Sequence, residues 1–206
     1  MRKSYKRFHT LFSGILRFIL GVKVSGLENE PESSGILVCA NHVTLLDPIC
    51  ISAALHKVEP YYMAKKELFK IPILKSLLKA FGAYPVNRGA GDLGAIHKTI
   101  DMLRDGYCVG IFPQGTRCRG VALEDTKFKN GAALICSKIS VPVLPICIKV
   151  KNNRWRPFRK MHVFIGKPIT AAELAFDENA PRGEELARIT NIIYERILSL
   201  GEEKGK

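Results

Sequence analysis

Short apolar runs with β-branched residues alternate with segments of helical period along most of this chain, and that alternation restricts its fold more than any other feature. Strands are predicted at 22–26, 35–40, 60–64, 82–86, 107–112, 142–149 and 160–165, with helices at 48–57, 67–80, 92–105, 128–139 and 184–199. Strands and helices in turn cover both faces of a sheet, so the pattern specifies the α/β class. With 206 residues there is material for one full core and not for two. The expectation is a single α/β domain over residues 22–200, with a mixed, mostly parallel central sheet flanked by helices. An amphipathic membrane-interface segment at 1–21 precedes it, and a fraying tail at 201–206 follows.

Lys and Arg outnumber Asp and Glu by 32 to 19, a formal charge of +13 that asks for an anionic partner: nucleic acid, a membrane surface or a phosphorylated substrate. Basic residues crowd the first 25 positions and "RWRPFRK" at 154–160, in both places mixed with large apolar side chains. That mixture suits the boundary between lipid headgroups and acyl chains, and no nucleic-acid recognition module accompanies it.

"LFSGILRFILGV" is about a dozen residues long and carries Arg17, short of the roughly 20 apolar residues of a spanning helix. A signal peptide would need a small-residue cleavage site, whereas "KVSGLENEPESSG" leads straight into the next strand. The expectation is an N-terminal amphipathic helix lying on an anionic membrane surface at the cytoplasmic face, the alternative being a helix packed on the domain's own core. "RWRPFRK" reads equally as part of that footing, through Trp155 and Phe158, or as a basic hairpin between two strands. Six cysteines without C-x-x-C spacing fit small core residues in a reducing compartment. The single, scattered histidines offer no metal-ligand spacing, and nothing calls for a cofactor.

Chemistry enters at "ANHVTLLDP", residues 40–48, where the strand "GILVCAN" should end. His42 and Asp47 share the turn into the next helix. There the carboxylate can fold back on the imidazole, fix its tautomer and stabilise the imidazolium formed when the other nitrogen takes a proton. Asp47 is equally placed to cap that helix, with Pro48 in its first turn. Arg88 lies just beyond the strand in "GAYPVNRG", and Gly115, Thr116 and Arg117 beyond the strand in "GIFPQGTRCRG". Carboxyl ends of strands in an open α/β sheet converge on one side. Two arginines, a hydroxyl and a residue permitting close backbone approach would there form a phosphate-sized pocket. A histidine base beside a phosphate clamp implies a phosphorylated alcohol as substrate. A serine hydrolase is disfavoured by the absence of a G-x-S-x-G elbow.

N-H-x-x-x-x-D, then a lysine-to-arginine segment, then F-P-x-G-T-R, then V-P-x-x-P, in that order over roughly residues 20 to 170, resembles the glycerolipid acyltransferases of the 1-acylglycerol-3-phosphate acyltransferase family. The resemblance implies His42 as general base and Asp47 as its partner. It matches Lys65, Leu68 and Arg88 to the second block, Phe112, Pro113, Gly115, Thr116 and Arg117 to the third, and Val141, Pro142 and Pro145 to the fourth. Acceptor-phosphate binding then falls to Lys65, Arg88, Gly115, Thr116 and Arg117, with Gln114 among them where relatives usually carry glutamate. An amide keeps the size and some of the hydrogen bonding of that glutamate and loses its charge. The implied reaction moves a fatty acyl chain from a thioester, acyl-CoA or acyl carrier protein, to the 2-hydroxyl of 1-acylglycerol 3-phosphate, giving phosphatidic acid. Glycerol 3-phosphate or another lysophospholipid stands as the alternative acceptor, and a catalytically weak lipid-binding protein as the alternative role.

Overall fold

The computed structural model describes residues 13–32, 34–80, 82–86, 93–156 and 160–202. Its strands are β1 (Val22–Ser25), β2 (Leu37–Ala40), β3 (Pro60–Lys65), β4 (Ala83–Val86), β5 (Cys108–Ile111), β6 (Val143–Val150) and β7 (Met161–Ile165). They form one sheet in the order β1-β7-β6-β2-β5-β3-β4. Helical residues 13–19 (α1) precede β1. The other helices are α2 (Asp47–Ala54), α3 (Pro72–Ala80), α4 (Leu93–Arg104), α5 (Gly131–Cys136) and α6 (Arg182–Glu202).

Strands β2 to β6 all run the same way, since β2 is parallel to β5 and β6, and β3 to β4 and β5. β7 is antiparallel to β6 and carries β1 parallel beside it. The sheet is thus mixed with a parallel majority, as the alternation of elements implies. One edge of it collects the carboxyl ends of β2 to β6 and the amino ends of β1 and β7; it is called the carboxyl edge below.

The central strands are apolar on both faces because helices cover both. In β2 all four residues are buried, and the strand period of two sends Leu37 and Cys39 into one core, Val38 and Ala40 into the other. The first core lies under α4, α5 and α6, where Ile189, Ile193 and Ile197 recur at helical spacing without solvent exposure. The second lies under α2, through Cys50, Ile51, Ala54 and Leu55. Burying each of the isoleucines and leucines among them contributes roughly 1.5–3 kcal/mol.

Several element ends depart from the sequence expectation for local reasons. α2 stops at Ala54 because the N–H groups of His56, Lys57 and Val58 turn to the buried Glu30 carboxylate, at 2.9, 2.6 and 2.8 Å. The helix expected over 67–80 is a 3-10 turn, Lys66–Lys70, followed by α3 starting at Pro72. Proline has no N–H to continue a helix from the preceding turn and suits a first position. α5 is regular only over Gly131–Cys136. α6 continues through Gly201 and Glu202, which the sequence assigned to a fraying tail, and Gly201 is buried. Of "RWRPFRK", Arg154, Trp155, Arg156 and Lys160 are described and belong to the β6–β7 connection, turned by Asn152 and Asn153 at positive φ, with Trp155 packed against the second core. Phe158 lies outside the described residues. Among the described residues no helix is long and apolar enough to cross a membrane.

Candidate active site

His42 stands two residues past the end of β2, at the carboxyl edge. Asn41 secures the strand end below it. Its side-chain amide donates to the Ile148 carbonyl at 2.9 Å and its carbonyl accepts from the Ile148 N–H at 2.6 Å, continuing the pairing with β6 past the last strand residue.

The imidazole Nδ1 lies 2.7 Å from Asp47 Oδ2. A carboxylate oxygen that also receives the N–H groups of Val43 at 2.6 Å and Thr44 at 2.8 Å can only accept, so Nδ1 carries the proton and Nε2 is the basic nitrogen. Asp47 is the first residue of α2 rather than its cap. Leu46 holds the cap position without a side-chain hydrogen bond, and the carboxylate folds back over the turn. The Asp47 side chain is fully buried while that of His42 keeps 16% exposure, which places an oriented base at the boundary of solvent. Asp47 Oδ1 is buried without a hydrogen-bond partner.

β5 supplies the next layer. Phe112 stacks on the His42 ring with centroids 4.0 Å apart and 18° between planes, and Tyr62 from β3 stacks on Phe112 at 5.9 Å. Tyr62 fits there because Gly110 lies beneath it, where a Cβ would sit 2.2 Å from the ring. Gln114 is 4% exposed, and both ends of its amide are engaged inside the protein. Oε1 accepts the His42 backbone N–H at 2.5 Å, and Nε2 donates to Thr126 Oγ1 at 2.9 Å. The Thr126 hydroxyl passes its own proton to the Leu123 carbonyl at 2.8 Å.

The phosphate-clamp candidates are placed unevenly. Gly115 adopts φ 71°, and its N–H is taken by the Phe112 carbonyl at 2.9 Å, so it is not available as an oxyanion donor. Thr116 and Arg117 are exposed on the same loop. Lys65 ends β3 at the carboxyl edge, but its side chain, like the whole of Arg88, lies outside the described residues. Lys129, which the sequence reading passed over, closes on the loop: its side chain comes within 3.2 Å of the Cβ position of Gly115, and it lines the cavity beside His42.

That cavity, of about 240 Å³, is mainly apolar, with Phe112, Met63, Ala95 and Ile135 among its walls. A second one, of about 260 Å³, opens on the other flank of His42 towards β6 and the end of α6. Thiol nucleophiles are disfavoured. Burial pushes Cys50, Cys136 and Cys147 up to about 12, with Asp47 adding to the effect at Cys50. Burial also raises the half-buried Cys118 beside the second cavity. Among the described residues no cluster of His, Cys, Asp or Glu could hold a metal ion.

An oriented histidine base between two cavities on the carboxyl edge can remove a proton from a hydroxyl brought against it. Residues 21–149 match the family model described as Acyltransferase. The chain is 34% identical over 198 residues to a 1-acyl-sn-glycerol-3-phosphate acyltransferase of Bacillus subtilis, covering 95% of this chain and 96% of that one. It is 33% identical over 141 residues to the protein of the same name from Borreliella burgdorferi, covering 66% and 55%. In fold it is similar to the crystal structure of the 1-acyl-sn-glycerophosphate (LPA) acyltransferase, PlsC, from Thermotoga maritima, with a TM-score of 0.68 at 24% identity over 99% of this chain and 81% of that one. The Bacillus relative matches along nearly its whole length and the family model covers more than half of the chain: the protein belongs to the acyltransferase family.

Proposed function

We propose that the protein transfers a fatty acyl chain from a thioester donor, acyl-CoA or acyl carrier protein, to the 2-hydroxyl of 1-acylglycerol 3-phosphate, forming phosphatidic acid. The observation that carries this reading is the 2.7 Å contact between His42 Nδ1 and the buried Asp47, which orients a base beside an apolar cavity. Nε2 takes the hydroxyl proton as the oxygen bonds to the thioester carbon. The carbon–sulfur bond breaks, and the imidazolium returns the proton to the departing thiolate. No acyl-enzyme is needed, because a thiolate is a good leaving group for direct attack.

Asp47 stabilises the imidazolium during that step. The apolar cavity suits an acyl chain, while Arg117 and Lys129, with Lys65 and Arg88 of the sequence motif, supply positive charge for the phosphate. Acceptor and product both reside in a bilayer, so the enzyme works at the cytoplasmic face of an anionic membrane as a peripheral protein.

The test is phosphatidic acid formation by wild type and His42→Ala in lipid vesicles supplied with 1-acylglycerol 3-phosphate and either donor. A positioned base contributes about 10²–10⁴-fold, and the folded variant should lose that much. Turnover at the wild-type rate in His42→Ala would remove the mechanism.

A further inference from the structure

The large apolar side chains that the fold leaves exposed are not scattered. Leu45 sits in the β2–α2 turn, Ile71 between β3 and α3, Leu93 at the start of α4 and Val121 in the loop after β5, exposed by 66, 53, 60 and 41%. All four are on connections that leave the carboxyl ends of parallel strands. β1 runs against those strands, so its amino end lies at the same edge, beside Met161 and the end of β6. α1 joins β1 there, carrying Ile15, Phe18 and Ile19, with Phe18 exposed by 88%. With the exception of Tyr107, which precedes β5 at the opposite edge, every exposed large apolar side chain among the described residues belongs to this one rim.

Cations share it. Lys66 and Lys70 precede Ile71, Arg117 and Arg119 precede Val121, and Lys151, Arg154 and Arg156 stand on the β6–β7 hairpin, all exposed. Among the described residues, Glu67, Glu124 and Asp125 are the acids on the same connections. Among the described residues these cations make no ion pair. At the opposite edge Lys57 pairs with Glu32 at 3.0 Å and Arg104 with Asp101 at 3.7 Å, and although Lys79, Lys138 and Lys167 are exposed there without an ion pair among the described residues, Glu28, Asp177 and Glu178 stand on the same connections as acids. A rim of separate apolar tips set among unpaired cations is chemically complementary to an anionic lipid surface, where the tips enter the acyl boundary and the cations meet the headgroups.

We infer that the protein docks on an anionic bilayer through the whole carboxyl edge of its sheet. The tips Leu45, Ile71, Leu93 and Val121 enter the lipid around His42, and α1 is one contributor rather than the sole anchor. This deepens the proposed function, from which it takes the need for a membrane. It also has a consequence for the site: the openings beside His42 face the lipid, so an acceptor need not leave the bilayer to reach the base.

Docking can be read without donor or acceptor, and so independently of turnover. In a Trp155→Phe background, Ile71→Trp, Leu93→Trp and Tyr107→Trp are each mixed with vesicles of phosphatidylcholine containing phosphatidylglycerol and brominated acyl chains. Quenching at 71 and 93 but not at 107 is expected. Flotation with the same vesicles should show Ile71→Asn combined with Leu93→Asn lowering partition roughly tenfold or more, Arg119→Glu roughly fivefold or more, and Tyr107→Asn leaving it unchanged. Equal quenching at 107, vesicle binding with no quenching at 71 and 93, or indifference to phosphatidylglycerol would each overturn the inference. So would retention on duplex DNA that matches retention on vesicles and is unmoved by the Asn substitutions.

Discussion

Gln114 holds the His42 peptide in place. Its Oε1 receives the His42 N–H at 2.5 Å, and its Nε2 ties that end of β2 to Thr126, so the amide acts on His42 through the backbone. Gln114→Met keeps the volume and removes both bonds; a buried N–H left without its acceptor costs about 1–3 kcal/mol. Turnover should fall about tenfold with KM for both substrates unchanged, and a raised acceptor KM at constant kcat would make the amide a substrate contact instead. Gln114→Glu retains an acceptor for the His42 N–H, and its second oxygen takes the Thr126 proton at the expense of the bond to Leu123. It should turn over within about threefold of wild type, with the acidic limb of its pH–rate profile displaced upward, because a nearby negative charge favours the imidazolium, which cannot act as the base. The His42–Asp47 contact was legible because it spans five positions of one turn. The Gln114 contact spans 72 and depends on β5 lying beside β2, which no local pattern states. Lys129 was missed for the same reason: it approaches Gly115 only through the return of the loop into α5.

Elements set the order of the rings around His42. Tyr62 of β3 lies over Gly110 of β5 and under Phe112, which faces His42. In Gly110→Ala the new methyl would meet the ring of Tyr62, its buried cross-strand partner, at 2.2 Å. Overpacking of this kind costs about 1–3 kcal/mol, so a lower Tm and lower kcat are expected together, with Gly110→Ala/Tyr62→Leu recovering part of both. Failure of the second change to recover anything would place the effect in the strand rather than in the stack.

At the start of α6, Glu185 is held down to about 2, from an ordinary 4.5, by hydrogen bonds from the Arg188 guanidinium and the Asp177 N–H. A depressed carboxylate stabilises the fold fully above pH 4.5 and ceases to do so as pH falls towards 2. Thermal melts of Glu185→Gln across that window should therefore decline less steeply with acid than those of wild type, and parallel slopes would refute the linkage. Strand and helix order could be read from apolar period alone. Where α2 stops could not, since Glu30 lies 26 residues before the first N–H it accepts.

At the scale of the whole molecule, the formal charge of +13 matters less than where the unpaired part of it lies. The basic segment at 154–160 was visible in the sequence. That its Arg154 and Arg156 share an edge with Lys66, Lys70 and Arg119 was not, because that depends on β7 turning back against β6 and β1 following β7. Reversed strands bring the start of β1 to the end of β6, and a charge spread along the chain becomes a one-sided field around the opening of the site. Such a field acts over a Debye length, about 10 Å at 0.1 M salt and about 3 Å at 1 M.

Turnover on vesicles rich in anionic lipid should consequently fall steeply as salt is raised across that range. With short-chain donor and acceptor free in solution, only the contacts to the phosphate remain exposed to screening, and the fall should be several times shallower. The pair of salt series separates two sources of charge dependence that one series confounds. Equal slopes would assign the positive charge to substrate binding alone, whereas a steep slope confined to vesicles would assign most of it to the approach of the carboxyl edge to the bilayer.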